Sequence, residues 1–126
     1  MNTVFDLETA SAQQVAEHIV RHLLTQKKRA YKGARELCVL INSRGERCAA
    51  GSLLNDAGVA TVSAQHIEAS GWGSLINQGL VPDTHHYLVG AFQHVHDWRY
   101  PEDWRVECKR VLDEYDLDAS FMDSIP

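Results

Sequence analysis

The sequence predicts an α+β fold rich in helix, with three to five helices packed on one short β-hairpin. Three observations lead there. Apolar residues recur at helical spacing in three separate stretches, about 11–30, 84–97 and 101–115. One continuous apolar, β-branched run, Leu37-Cys38-Val39-Leu40-Ile41, is stopped by the turn-forming Asn42-Ser43-Arg44-Gly45. No internal repeat or low-complexity linker divides the 126 residues, so residues 1–126 are expected to form a single domain.

Ser11, followed three residues later by Gln14, has the pattern of a helix start whose side chains satisfy the first free N–H groups. Val15, Ile19 and Leu23, with Ala16, Val20 and Leu24 beside them, then form an apolar arc over about 11–30 that leaves Glu17 and Arg21 outward and His18 and His22 on its flank. After Gly33, residues 37–41 read as a strand. Glu46–Leu54 reads as its return strand, a helix start being the alternative, because Ala49, Ala50 and Gly51 permit close backbone packing. Residues 55–83 are punctuated by Gly58, Gly71, Gly73, Gly79 and Pro82, with room for short helices near 63–70 and 73–78. Thr84 is the expected cap of a helix over 84–97 whose Leu88, Phe92 and Val95 face inward, with Tyr87 and Ala91 adjoining. Pro101 suits the first turn of a last helix, with Glu102 and Asp103 at its positive end and Trp104, Cys108, Val111, Leu112 and Tyr115 inward. The ends, 1–10 and 118–126, are expected to be loosely held.

Hydrophobic residues at 44% and charged residues at 23% match an ordinary globular chain. No apolar run approaches the roughly 20 residues that cross a bilayer, and Met1-Asn2-Thr3 does not open an export signal. The odd set Cys38, Cys48 and Cys108, without CxxC spacing, fits thiols in a reducing cytoplasm better than a disulfide framework; a single Cys38–Cys48 bridge is the alternative. The net charge of −5 is uneven: residues 1–35 carry six basic and three acidic side chains. The run of cations from Lys27 to Arg35 reads as a solvated helix end, and the acidic remainder of the chain disfavours nucleic acid as a partner.

The densest chemistry lies in Phe92-Gln93-His94-Val95-His96-Asp97-Trp98. On a helix, His94 and His96 point to nearly opposite sides and cannot share a metal. The His96-Asp97 doublet resembles the metal-holding doublet of HD-type phosphohydrolases, for which His66 would be the upstream ligand and Asp113, Asp116 or Asp118 the late one. A second enzymatic arrangement takes Cys48 as nucleophile, His94 or His96 as base and Asp97 as orienter, against the default of a packed cysteine. His18 and His22 have half the spacing of a helical zinc site but lack the glutamate of HExxH. There is no phosphate-binding glycine loop and no GxSxG, and no cofactor is expected.

Gly45-Glu46-Arg47-Cys48-Ala49-Ala50-Gly51-Ser52-Leu53-Leu54, then Gln93-His94-Val95-His96-Asp97 and Pro101-Glu102-Asp103-Trp104, with Leu23-Leu24-Thr25-Gln26 upstream, resemble small uncharacterised proteins of bacteria and their phages. Those proteins share a Gly-x-x-Cys-Ala-x-Gly-x-Leu segment and a Gln-x-x-His-Asp segment in this order. The match spans about residues 20–117 and departs over 55–83, where this chain has more glycine. The resemblance implies a cytoplasmic protein of mobile-element origin and no particular activity.

The expected function is that of a small acidic binding protein that occludes a protein partner, of the inhibitor, immunity or phage counter-defence type, rather than an enzyme. Its expected binding residues are Trp72, Asp97, Trp98, Tyr100, Glu102, Asp103 and Trp104: aromatic anchors, and carboxylates able to mimic phosphates. Trp72, between two glycines, also reads as a plug at a core edge. The alternative is a metal-dependent phosphohydrolase using His66, His96 and Asp97. A homodimer on the same aromatic surface is a third option, and no membrane contact is expected.

Overall fold

The computed structural model describes residues 1–33 and 37–126. The chain is helix-rich, with six α-helices among these residues: α1 (Ala12–Gln26), α2 (Ala49–Ser52), α3 (Asp56–Ala64), α4 (Trp72–Asn77), α5 (His86–Trp98) and α6 (Trp104–Glu114). Two short 3-10 turns, Pro101–Asp103 and Ser120–Ser124, flank α6. None of the helices described is long and apolar enough to cross a membrane.

The first helix follows its sequence pattern. The Ser11 hydroxyl accepts the Gln14 N–H at 3.0 Å, and Val15, Ala16, Ile19, Val20, Leu23 and Leu24 are all buried. Each large aliphatic side chain among them contributes roughly 1.5–3 kcal/mol of burial. The helix stops at Gln26, short of residue 30, because Lys27 turns left-handed (φ 58°) and returns its N–H to the Leu23 carbonyl. Of the cationic run beyond it, Arg35 lies outside the described residues. Helix α5 is the hub, packed against α1, α2, α4 and α6 through Leu88, Val89, Phe92, Val95 and His96. His85 rather than Thr84 stands at its cap position, without a side-chain cap; the His85 ring instead donates to the Ala10 carbonyl at 2.9 Å.

The expected hairpin is not formed. Leu37–Cys38 (β2) pairs antiparallel with the preceding Tyr31–Lys32 (β1), Tyr31 opposite Cys38. The turn at Asn42–Gly45 does form, with the Asn42 side-chain oxygen accepting the Arg44 and Glu46 N–H groups and Gly45 at φ 81°. The return limb makes only a single bridge, Ile41 to Arg47. The outward backbone groups of Arg47 are held by α1: Gln26 accepts the Arg47 N–H at 2.8 Å, and Gln26 and His22 both donate to the Arg47 carbonyl. These groups point away from the Leu37–Ile41 limb, and the pairing ends where Cys48, its sulfur accepting the Gly51 N–H, caps α2 and turns the chain into that helix. Helix α2 lies so close to Leu40 that a Cβ on Gly51 would stand 1.9 Å from the Leu40 carbonyl oxygen. Glycine is required there by contact, not by φ.

Three further expectations are corrected. The helix placed near 63–70 begins earlier, because Asn55 accepts the Gly58 N–H at 2.8 Å and starts α3. The ends are held rather than loose. Thr3 bridges to Leu54 and Leu7 is buried, while at the other end Met122 and Ile125 are buried and Arg105 donates to the carbonyls of both. Gln13 and Asp118 exchange two hydrogen bonds that tie the tail to α1. Tyr115, expected to face inward, is exposed.

Candidate functional site

Among the described residues, one group of three potential metal ligands exists, and it contains the His96-Asp97 doublet. Cys38, His96 and Asp97 bring their ligand atoms within 4.8 Å of one another. His66, the proposed upstream ligand, is not in the group; it is exposed at the end of α3 with φ 55°. The late aspartates Asp113, Asp116 and Asp118 are exposed and likewise outside it.

The hydrogen bonds of His96 decide what the group can do. The ring is completely buried and stacks on Trp104 with centroids 5.5 Å apart. The backbone N–H of Ala30 donates to Nε2 at 3.0 Å, and Asp97 Oδ1 lies 2.7 Å from Nδ1. A backbone amide can only donate, so Nε2 must be the bare nitrogen and the proton must sit on Nδ1, pointing at Asp97. A cation on Nδ1 would displace that proton to Nε2 and set two N–H groups against each other across the Ala30 contact. The donor set therefore does not fit a metal, although its spacing would.

Asp97 is the centre of a partly buried hydrogen-bond knot. Burial alone would push its carboxyl up, but hydrogen bonds from His96, Gln93 and Cys38 outweigh that and hold it below the usual carboxylate range. Gln93 Nε2 donates to Asp97 at 2.8 Å, while Gln93 Oε1 accepts the Ala50 N–H, one of the free amides at the start of α2. Burial first, and then the charge of Asp97, push the Cys38 thiol up to about 11. The order Cys38–Asp97–His96 puts an acceptor between thiol and imidazole, so the ring cannot deprotonate the sulfur. The knot joins the β-arm (Ala30, Cys38), α2 and α5.

Cys48 is no better a nucleophile. It is enclosed, its sulfur accepts the Gly51 N–H at 3.3 Å at the start of α2, and desolvation pushes the thiol up to about 12. All three cysteines are free thiols. His18 and His22 are clamps rather than ligands, donating from Nε2 to the Ser52 and Arg47 carbonyls.

The expected binding residues divide into two groups. Trp72 and Trp104 are buried. The Trp104 indole donates to the Arg99 carbonyl, whereas Trp72 Nε1 is, among the described residues, the one buried side-chain polar atom without a partner. Trp98 and Tyr100 are 72% and 66% exposed, and Glu102 and Asp103 are exposed beside them. Asp97 is spent in the knot, and the Arg29 guanidinium lies between the Tyr31 and Tyr100 rings at 5.9 and 6.0 Å, so this end of the molecule is not a purely acidic surface. Arg29 also donates to the His96 and Arg99 carbonyls, closing the C-terminus of α5.

One feature was not anticipated. Tyr87, expected beside the core, is 80% exposed, and with Ala91, His94 and Trp98 it forms a stripe along the outer face of α5. At about 100° per residue these four positions fall within an arc of about 60°, and eleven residues at about 1.5 Å each give a length of about 16 Å. His94 leans on Trp98 with ring centroids 6.4 Å apart. The 4-3-4 spacing of Tyr87, Ala91, His94 and Trp98 is visible in the sequence; its exposure is not, because the neighbouring Leu88–Phe92–Val95 stripe claims the core.

The chain matches no family model, no curated protein and no solved structure.

Proposed function

We propose that the protein is a non-enzymatic binding protein of the cytoplasm that acts by occluding a surface of a protein partner, in the manner of an inhibitor, immunity or counter-defence protein. The single observation that supports this reading is the exposed aromatic face of α5. Trp98 and Tyr87, more than two-thirds exposed, are amphipathic residues of the kind that dominate binding energy when desolvated, and Tyr100 beyond the end of the helix is exposed as well. The chemistry-bearing side chains nearby are consumed by the fold: His96, Asp97, Gln93 and Cys38 hold one another. The partner surface that fits is an apolar groove about as long as three helical turns.

The competing metal-dependent hydrolase needs a cation at His96-Asp97, and the Ala30 N–H on Nε2 argues against it. The test is capture from the native host with the untagged face intact, followed by reconstitution with the purified partner. Wild type and His66→Ala should bind and silence the partner, and Trp98→Ala should lose binding at least tenfold. Binding indifferent to Trp98→Ala, or manganese-dependent phosphodiester hydrolysis lost with Asp97→Asn, would reject the proposal.

A further inference from the structure

The cations that follow α1 do not serve as its end. No basic side chain stands in the last turn, where the macrodipole would favour one. Lys27 is the residue on which the helix stops, and with Lys28 and Arg29 it lines an open cleft of about 410 Å³ that Arg44 also borders. We propose that this cleft binds a small phosphorylated ligand of the nucleoside diphosphate class, its phosphates among Lys27, Lys28 and Arg29 and its ring system against Tyr31 and Pro101. The site is separate from the outer face of α5, and neither reading rests on the other.

Charge, rigidity and size carry the inference. Among the described residues, no ion pair includes Lys27, Lys28 or Arg29. The one carboxylate in the wall, Glu46, is taken by Arg44 at 3.1 Å and by the Asn42 amide at 2.8 Å. A surplus of three positive charges therefore stands in one cavity of a chain whose net charge is −5, which leaves −8 on the remainder. A phosphate monoester brings about −1.5 to −2 at neutral pH and two linked phosphates about −3, whereas a carboxylate would offset only one of the three. Arg29 adds a fixed fork. Its guanidinium donates to the His96 and Arg99 carbonyls and to the Tyr31 hydroxyl, so the head is held by neutral acceptors while its charge is unspent. A guanidinium already in place loses little freedom when it meets a phosphate. Between the cations the wall is carbon, from the half-buried Tyr31 ring and Pro101. The volume falls in the range of about 300–1,000 Å³ usual for small-molecule sites. A polynucleotide fits less well, because the exposed Glu102 and Asp103 follow Pro101 directly and the acidic remainder repels a longer run of phosphates.

Isothermal titration calorimetry on the full chain, in low salt without divalent cations, tests this with ADP, pyrophosphate, citrate and adenosine as probes. ADP should bind saturably, one per chain, and several-fold more tightly than pyrophosphate or the similarly charged citrate; adenosine should give no heat. Lys28→Glu should weaken ADP binding at least about tenfold with an unchanged thermal midpoint. Lys109→Glu makes the same change of charge at an exposed lysine paired with Asp113, and should leave ADP binding within about twofold of wild type. In amide NMR spectra ADP should shift Lys28, Arg29, Tyr31 and Arg44 and leave Tyr87 and Ala91 in place. No saturation up to about 10 mM ADP, equal losses in the two lysine variants, or pyrophosphate or citrate binding as tightly as ADP would overturn the inference. So would a single strand of about ten nucleotides binding more than tenfold tighter than ADP, since the cleft would then be part of a polynucleotide track. Trp98→Ala should bind ADP as wild type does, so the docking face and the cleft stand or fall separately.

Discussion

Helix α5 has two polar-aromatic faces of opposite fate. The inner one carries His96, Asp97 and Gln93, the residues a chemist would pick first, and every one of them is committed to the fold through Ala30, Ala50 and Cys38. The outer one carries the exposed Tyr87, His94 and Trp98, with Ala91 packed at the core edge between them; Tyr87 meets only His86 edge-on and His94 leans loosely on Trp98. In this protein the titratable cluster is held by hydrogen bonds within the chain, and the aromatic rings of the outer face stand exposed. Reactivity of residue type is a poor guide to function until the hydrogen-bond partners are counted.

The inner face should break the fold when touched. Replacing His96 with Ala strands the Ala30 N–H, removes one donor from Asp97 and empties the space against Trp104; a loss of about 3–5 kcal/mol of stability is expected from denaturant unfolding. Gly51→Ala should cost a similar amount, because its Cβ meets the Leu40 carbonyl at 1.9 Å, backbone against backbone, and nothing soft can give way. A His96→Ala protein as stable as wild type would show that the knot is incidental and reopen the site to chemistry.

The comparison also shows which features were legible in the chain. Local patterns held: the Ser11 cap and apolar arc of α1, the inward stripe of α5, and the Asn42–Gly45 turn all depend on neighbours within a few residues. Long-range decisions were hidden. The return strand stops after one bridge because Cys48 caps α2 and Gly51 lets that helix pack on the Leu40 backbone, and the ends are held because Leu7, Met122 and Ile125 find a core that periodicity alone does not place. Trp104 shows the same limit at the site: its spacing placed it inward, its composition suggested an anchor, and its stacking on His96 settled the matter. The expected Gly-x-x-Cys-Ala-x-Gly-x-Leu segment gains a physical meaning: a left-handed turn at Gly45, a thiol cap at Cys48 and a backbone contact at Gly51.

Acid should loosen the inner architecture in two separate windows. Desolvation lowers the His22 pKa below its ordinary 6.5, so the folded ring stays neutral while the unfolded chain takes up a proton first. Its contribution is complete above about pH 6.5 and declines as pH falls below it towards the lower folded value, with a slope of at most about 1.4 kcal/mol per pH unit. Thermal midpoints of wild type and His22→Gln between pH 7.5 and 5 measure this, and the variant should show the flatter profile. Asp97 acts lower: its carboxyl, held below 3.8, stabilises the fold above that value and ceases to do so as pH falls through its folded pKa. Asp97→Asn should therefore remove acid sensitivity only below about pH 4.

The smallest expected effect is the most discriminating. Trp98→Ala removes the largest exposed ring of the outer face, which contacts the core of its own chain little, so its stability should stay within about 0.5 kcal/mol of wild type. Truncating a residue that packs little is close to silent in the fold, and the same truncation should remove partner binding if the stripe is the working surface. Measured side by side with His96→Ala, it separates the two faces: one variant unfolds the protein, the other leaves it folded and unable to dock. A Trp98→Ala protein that loses several kcal/mol would mean that the ring is part of the structure after all, and that the two faces of α5 are one.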